Sequence, residues 1–190
     1  QPQATLEGSG SFVVDGQEPE ALPPFEGDPA PLYEDFLPEH IVNRPGHRGW
    51  FTTVDGRGRI RWLYKEFPSE EWQGWHLLVL VARTTPPAYL AYLRREEIPY
   101  LVGGEGHVDL GCVLEKMPHR LGVTCLLSTA GGRLNGALLR AGLVDEVFGE
   151  YGVRWDQRLR VRRGVGQFDA DERIAEMFPQ EVEAGSGHQT

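Results

Sequence analysis

Residues 75–83, WHLLVLVAR, form an almost unbroken apolar run, the pattern of a strand covered on both faces. The period then changes. In residues 86–97, PPAYLAYLRREE, the apolar Tyr89, Leu90 and Leu93 fall at helical spacing behind a proline start, which predicts a helix. The same alternation repeats downstream: strand over residues 98–104 (IPYLVGG), helix over 108–122 (VDLGCVLEKMPHRLG), strand over 123–130 (VTCLLSTA). A third crossover follows, with a Gly-Gly pair, the amphipathic RLNGALLRAGL whose Leu134 and Leu138 share a face, Gly142 as the stop, and LVDEV re-entering the sheet. Strands alternating with helices at these distances imply right-handed βαβ units and a largely parallel sheet.

The rest of the chain is less regular. Ala4 and Leu6 alternate with polar neighbours before the loop Gly8-Ser9-Gly10-Ser11, which reads as a short strand entering a turn. Residues 17–45 carry seven prolines and many acids, so most of that backbone is barred from helix and central strand. This long loop is expected to be pinned by Phe25, Leu32, Tyr33, Phe36 and Ile41. Residues 49–62, GWFTTVDGRGRIRW, read as a β-hairpin turning at Asp55-Gly56; the aromatic connector after it is left without an element.

The expectation is therefore an α/β domain over residues 1–178, with a mostly parallel central sheet, helices on both faces and a hairpin excursion. Residues 148–178 give an unusual ending, in which RLRVRRGVGQF reads as an edge strand with outward arginines and DADERIAEMF as a short capped helix. Residues 179–190 read as a disordered tail.

A length of 190 residues suits one domain with a substantial core. The net charge of −9 argues against nucleic acid as a partner, because phosphate backbones call for Lys and Arg gathered on one face. No apolar run approaches the roughly 20 residues needed to cross a bilayer, so a cytoplasmic protein with no membrane partner is expected. Cys112 and Cys125 lack metal-ligand spacing and read as reduced core thiols. None of the six histidines shows a zinc-binding spacing; only a spatial meeting of His47 with His107 would revive a metal. Asp145 and Glu146 read as capping or pairing residues rather than general acids. Ser128 and Thr129 read as hydroxyls that orient a ligand or end a strand, since no base is assigned beside them.

In a parallel sheet, ligands bind beyond the carboxyl ends of the strands, where a loop enters a helix whose first N–H groups are free. Gly131 and Gly132 occupy such a place, with Arg133 adding a positive charge. The GSGS, ARTT and GGEG loops would lie along the same edge, which makes an extended phosphate-bearing cofactor a candidate ligand. A lone Gly-Gly pair is also an ordinary turn.

The segment GGRLNGALLRAGLVDEV, with WHLLVLVARTTPPAYLAYLRREEIPYLVGGEGHVDLGCVLEKM upstream, resembles the riboflavin-biosynthesis reductase domain, a member of the dihydrofolate reductase-like superfamily. The likeness is best over residues 75–147. It implies a dihydrofolate reductase-like fold and NADPH lying across the carboxyl edge, with Gly131, Gly132, Arg133 and Leu134 at the pyrophosphate. It further implies Arg83 and Thr84 at the adenosine 2′-phosphate, and Gly8, Ser9, Gly10 and Ser11 beside the nicotinamide half. Hydride would pass to a small heterocyclic or ribosylamino-pyrimidine-like substrate, with no catalytic side chain assigned.

The chain departs from that family at its ends: the usual opening strand with a Ser-Leu-Asp-Gly-like motif and its helix are not found. Lost edges would invite pairing with a second copy, so a homodimer is expected. A catalytically incomplete nucleotide-binding or dimerising module stands as the alternative, and a hydrolase in the same crevice as a third reading.

Overall fold

A computed structural model describes residues 2–13, 19–65, 70–149 and 157–161. Their strands are β1 (Ala4–Gly8), β2 (Gly49–Val54), β3 (Trp75–Val81), β4 (Tyr100–Val102), β5 (Leu126–Ser128), β6 (Glu146–Gly149) and β7 (Gln157–Val161). They form one sheet in the order β4-β3-β2-β1-β5-β7-β6. The five strands from β4 to β5 are parallel to one another; β7 pairs antiparallel with both β5 and β6. The helices are α1 (Glu39–Val42), α2 (Pro87–Arg95), α3 (Leu110–Leu121) and α4 (Gly132–Arg140). The strand-helix alternation over residues 75–147 is thus present, as an α/β sheet.

Each face of the sheet has its own core. Ala4, Leu6, Trp50, Leu78, Leu80, Leu101 and Leu126 pack with Val113 and Met117 of α3 and Leu138 and Leu139 of α4. The alternate positions Leu77, Val79, Val81, Tyr100 and Val102 pack against Tyr89, Leu90 and Leu93 of α2, as the two-residue strand period requires. Helix ends follow their chemistry: Pro87 starts α2, Asp109 caps α3 by accepting from the Cys112 N–H at 3.0 Å, and Gly122 closes α3 at φ 66°.

The proline-rich segment is pinned by Leu32, Tyr33, Phe36 and Ile41 as expected, whereas Phe25 is exposed and packs in neither core. Leu22, Leu32, Tyr33 and Phe36 lie against the α2 face, while Leu37, Ile41 and Val42 lie against the α3–α4 face. Between these two groups Phe36 exchanges two backbone hydrogen bonds of 2.9 Å with Tyr100 of β4. The segment therefore wraps the β4 edge and satisfies part of it. The Tyr100 hydroxyl donates to the Leu32 carbonyl at 2.6 Å and accepts from Arg94 Nε at 2.7 Å. Burial pushes its ionisation above the usual tyrosine range, against the lowering effect of Arg94.

Three sequence expectations are corrected. The hairpin over residues 49–62 does not form: β2 is bonded to β1 on one side and β3 on the other, both parallel, so no edge is left for a returning arm. Residues 55–62 instead make a loop around Asp55. The RLRV segment is no edge strand, because β7 lies between β5 and β6. Nor is an edge exposed by the first strand, since β1 has partners on both sides. The short helix and tail expected after residue 161 lie outside the described residues.

His47 and His107 do not meet. His47 precedes β2 at the amino end of the sheet and His107 follows β4 at the carboxyl end. The His47 ring packs on Trp50 with centroids 4.5 Å apart, and its Nδ1 is buried without a hydrogen-bond partner. Burial lowers its pKa, with Arg44 and His76 adding to the effect. A histidine whose folded pKa is depressed binds its proton more readily when unfolded. Stability is therefore fully present above the unfolded value of about 6.5 and declines as the pH falls below it. Urea denaturation at about pH 8 and about pH 5 should show this loss, and His47→Gln should reduce it.

Candidate functional site

The strands from β1 to β4 are laid down outward on one side of β1, and β5 returns to the other side. The order thus reverses between β1 and β5, and the carboxyl ends of these two strands flank the place where doubly wound sheets bind ligands. A crevice of about 1120 Å³ opens there, slightly above the roughly 300–1000 Å³ typical of small-molecule sites.

Four loops build its walls. Gly8, Ser9, Gly10 and Ser11 follow β1; Gly56, Arg57 and Arg59 follow β2; Thr84 and Pro86 follow β3; Gly131, Gly132, Arg133 and Leu134 follow β5. Gly106, His107 and Val108, between β4 and α3, complete the rim. Of the ten residues expected at a cofactor, nine line this crevice. Arg83 is the exception: its Nε pairs with Glu105 at 3.1 Å on the surface. Thr84 is held by its hydroxyl, which donates to the Gly106 carbonyl at 3.0 Å.

The β5–α4 turn is set by Asn135, which is buried. Its Nδ2 donates to the Ala130 carbonyl at 2.6 Å, and its Oδ1 accepts from Ser128 Oγ at 2.7 Å. Ser128 is thereby a buried structural hydroxyl and no nucleophile. Thr129 donates to Glu7 on β1. Gly131 is the N-cap of α4 and has no side chain with which to cap it, so the first N–H groups of the helix face the crevice as donors for an anion.

The glycines here serve no need of the fold. Gly8, Gly10, Gly131 and Gly132 all lack a positive φ. A Cβ added at Gly10, Gly131 or Gly132 would meet nothing within 4 Å, and one at Gly8 only Leu134 Cδ2 at 3.8 Å. Gly58 is different: its φ is 65° and a Cβ there would lie 2.7 Å from Tyr89. That is a glycine the backbone demands.

Sequence reasoning missed Arg57 and Arg59, because Arg57 was placed in the turn of a hairpin and Arg59 on its returning arm. The loop that carries them is held by hydrogen bonds to its neighbours. Buried Asp55 accepts from the backbone N–H of Arg59 at 3.1 Å and of Ile60 at 2.9 Å, and Thr85 Oγ1 donates to the Gly56 carbonyl at 2.9 Å. Asp55 also hydrogen-bonds the Tyr89 hydroxyl, whose pKa is raised well above 10 by burial first and by the Asp55 charge second. Arg59 Nη2 reaches across to Ser9 Oγ at 3.2 Å, and its Nε is buried with no partner. With Arg133, three arginines line the crevice, and among the described residues no carboxylate does. In a chain of net charge −9, that concentration of positive charge selects an anionic ligand.

Other candidates have no site around them. Among the described residues no group of three or more His, Cys, Asp or Glu side chains has the geometry to hold a metal ion, and no described helix is long and apolar enough to cross a membrane. Cys112 and Cys125 are free and half-buried rather than core thiols. Asp145 and Glu146 are exposed at the start of β6, away from the crevice lining. Compared with models of known protein families and with curated proteins, the chain matches none.

Proposed function

We propose that the crevice binds NADPH and that the protein is an NADPH-dependent reductase of dihydrofolate reductase-like fold, acting on a small heterocyclic or ribosylamino-pyrimidine-like substrate. One observation carries the reading. Four glycines that the fold does not require converge on one crevice at the strand-order reversal, where only a closely approaching ligand gives them a purpose.

Gly131, Gly132 and the α4 N-terminus suit the pyrophosphate, and Arg133 adds charge beside it. Thr84 lines the same crevice. The adjacent Arg83 holds Glu105 through an exposed pair, a contact worth at most about 1 kcal/mol, so a 2′-phosphate can take its place. When bound, the nicotinamide would supply the hydride, and the residues of the crevice would position it. A second reading is a nucleotide-binding module without a reaction of its own, since the described residues of the lining include glycines, hydroxyls and arginines that suit binding.

Arg59→Ala and Arg133→Ala should each weaken NADPH by about tenfold, the scale of one charge-assisted contact. Arg83→Ala should instead narrow the preference for NADPH over NADH. Isothermal titration with both nucleotides separates these effects; unchanged affinities in all three variants would remove the dinucleotide from this crevice.

A further inference from the structure

Glu7 is a carboxylate placed beside a crevice that otherwise gathers arginines. It sits at the carboxyl end of β1, immediately before Gly8. One oxygen, Oε2, accepts from Ser11 Oγ at 3.2 Å, and the other, Oε1, accepts from Thr129 Oγ1. Ser11 belongs to the loop after β1 and Thr129 to the turn after β5. These are the two glycine-bearing walls on either side of the strand-order reversal. A negative charge there opposes an anionic ligand, so its placement needs another reason.

We infer that Glu7 is a positioning residue that fixes the gap between the Gly8–Ser11 loop and the Thr129–Arg133 turn, and so sets the width of the phosphate-binding cleft. The inference rests on the reading of the crevice as a dinucleotide site. The tie is local and double: the backbone N–H of Thr129 donates to the Leu6 carbonyl at 3.2 Å, so β1 grips the turn through backbone and side chain together. On the far side of the loop, Arg59 holds Ser9. Without Glu7, the loop would lose its side-chain tie to the turn after β5.

The role is geometric, and a neutral bridge therefore replaces the charged one. In Glu7→Gln the amide oxygen accepts from one hydroxyl and the amide nitrogen donates to the other. Glu7→Ala removes both ties, as Thr129→Val removes one. Two measurements on the full chain read this out: isothermal titration with NADPH, and amide hydrogen exchange of the unliganded protein over residues 8–12 and 129–134.

Glu7→Ala and Thr129→Val are expected to weaken NADPH by about tenfold, equivalent to roughly 1.4 kcal/mol, and to speed exchange in both segments. Glu7→Gln is expected to stay within about twofold of the parent in affinity and to keep its protection. If Glu7→Ala and Thr129→Val leave affinity and exchange unchanged, or if Glu7→Gln behaves as badly as Glu7→Ala, the positioning role is overturned. If the parent protein binds no NADPH, the dinucleotide reading fails by itself. The exchange arm then still decides whether Glu7 couples the two walls: joint loss of protection upholds the coupling and independent behaviour overturns it.

Discussion

Replacing Gly131 with valine should leave the protein folded and remove nucleotide binding, a loss on the order of a hundredfold or more. Gly131 has φ −71° and ψ 170°, a conformation open to any residue, and a Cβ there meets nothing. The fold therefore tolerates the substitution, while the added methyl groups occupy the space in which a phosphate would approach the α4 N-terminus. Alanine shows the same conflict in milder form. Gly132→Ala in the first turn of α4 should raise stability by about 0.4–1 kcal/mol, since glycine loses the most chain entropy on folding. Thermal unfolding would rise by a few degrees as NADPH affinity falls. A glycine that costs stability and contributes no packing is explained by what it leaves room for. Equal affinity in the parent and in Gly131→Val, with both folded, would contradict this account of the turn.

The second large effect is expected at Asp55. It is fully buried, and its carboxylate holds the N–H groups of Arg59 and Ile60 while hydrogen-bonding Tyr89. Asp55→Ala leaves those donors unpaired in the interior and should cost about 3–5 kcal/mol, because each hydrogen bond to a charged group is worth about 1.5–3 kcal/mol. In a chain of this size that corresponds to a fall of roughly 10 °C in Tm. Asp55→Asn keeps one acceptor oxygen and should recover about half of the loss. Binding should fall along with stability, since Arg57 and Arg59 reach the crevice only while the loop holds its shape. Thermal denaturation paired with NADPH titration of both variants checks this. A destabilised Asp55→Asn with undiminished affinity would show that the loop does not contribute to the site.

Asp55 also marks where the sequence could be read and where it misled. The alternation of apolar runs and amphipathic segments over residues 75–147 identified β3, α2, α3 and α4, which are long or regular enough for their period to show, and located β4 and β5 between them, although these strands are three residues each and shorter than the segments read as strand. The Asp-Gly pair at residues 55 and 56 carries the local signal of a tight turn. Here, however, the aspartate turns its side chain inward and becomes the centre of a wide loop. Central strands with threonines hid the rest. Thr52 and Thr53 of β2 and Thr5 of β1 are buried, yet in sequence they look like the polar half of a strand exposed on one side. Both β1 and β2 therefore seemed peripheral, although they occupy the middle of the sheet.

The crevice was legible wherever it depends on residues that follow a recognisable strand. The Gly8–Ser11 and Gly131–Leu134 loops, which are over a hundred residues apart in sequence, face each other across it. It was not legible at Arg57 and Arg59, whose position follows from the parallel pairing of β2, nor at Glu7, whose partners lie on two loops. Long-range register decides both cases, and no local pattern encodes it.

The most direct test of the central claim is a titration of the parent protein with NADPH and NADH, followed by calorimetry and by nicotinamide fluorescence. Saturable binding of one nucleotide per chain is predicted, tighter for NADPH and weakened by added pyrophosphate competing for the α4 N-terminus. No binding of either nucleotide at millimolar concentration would contradict it.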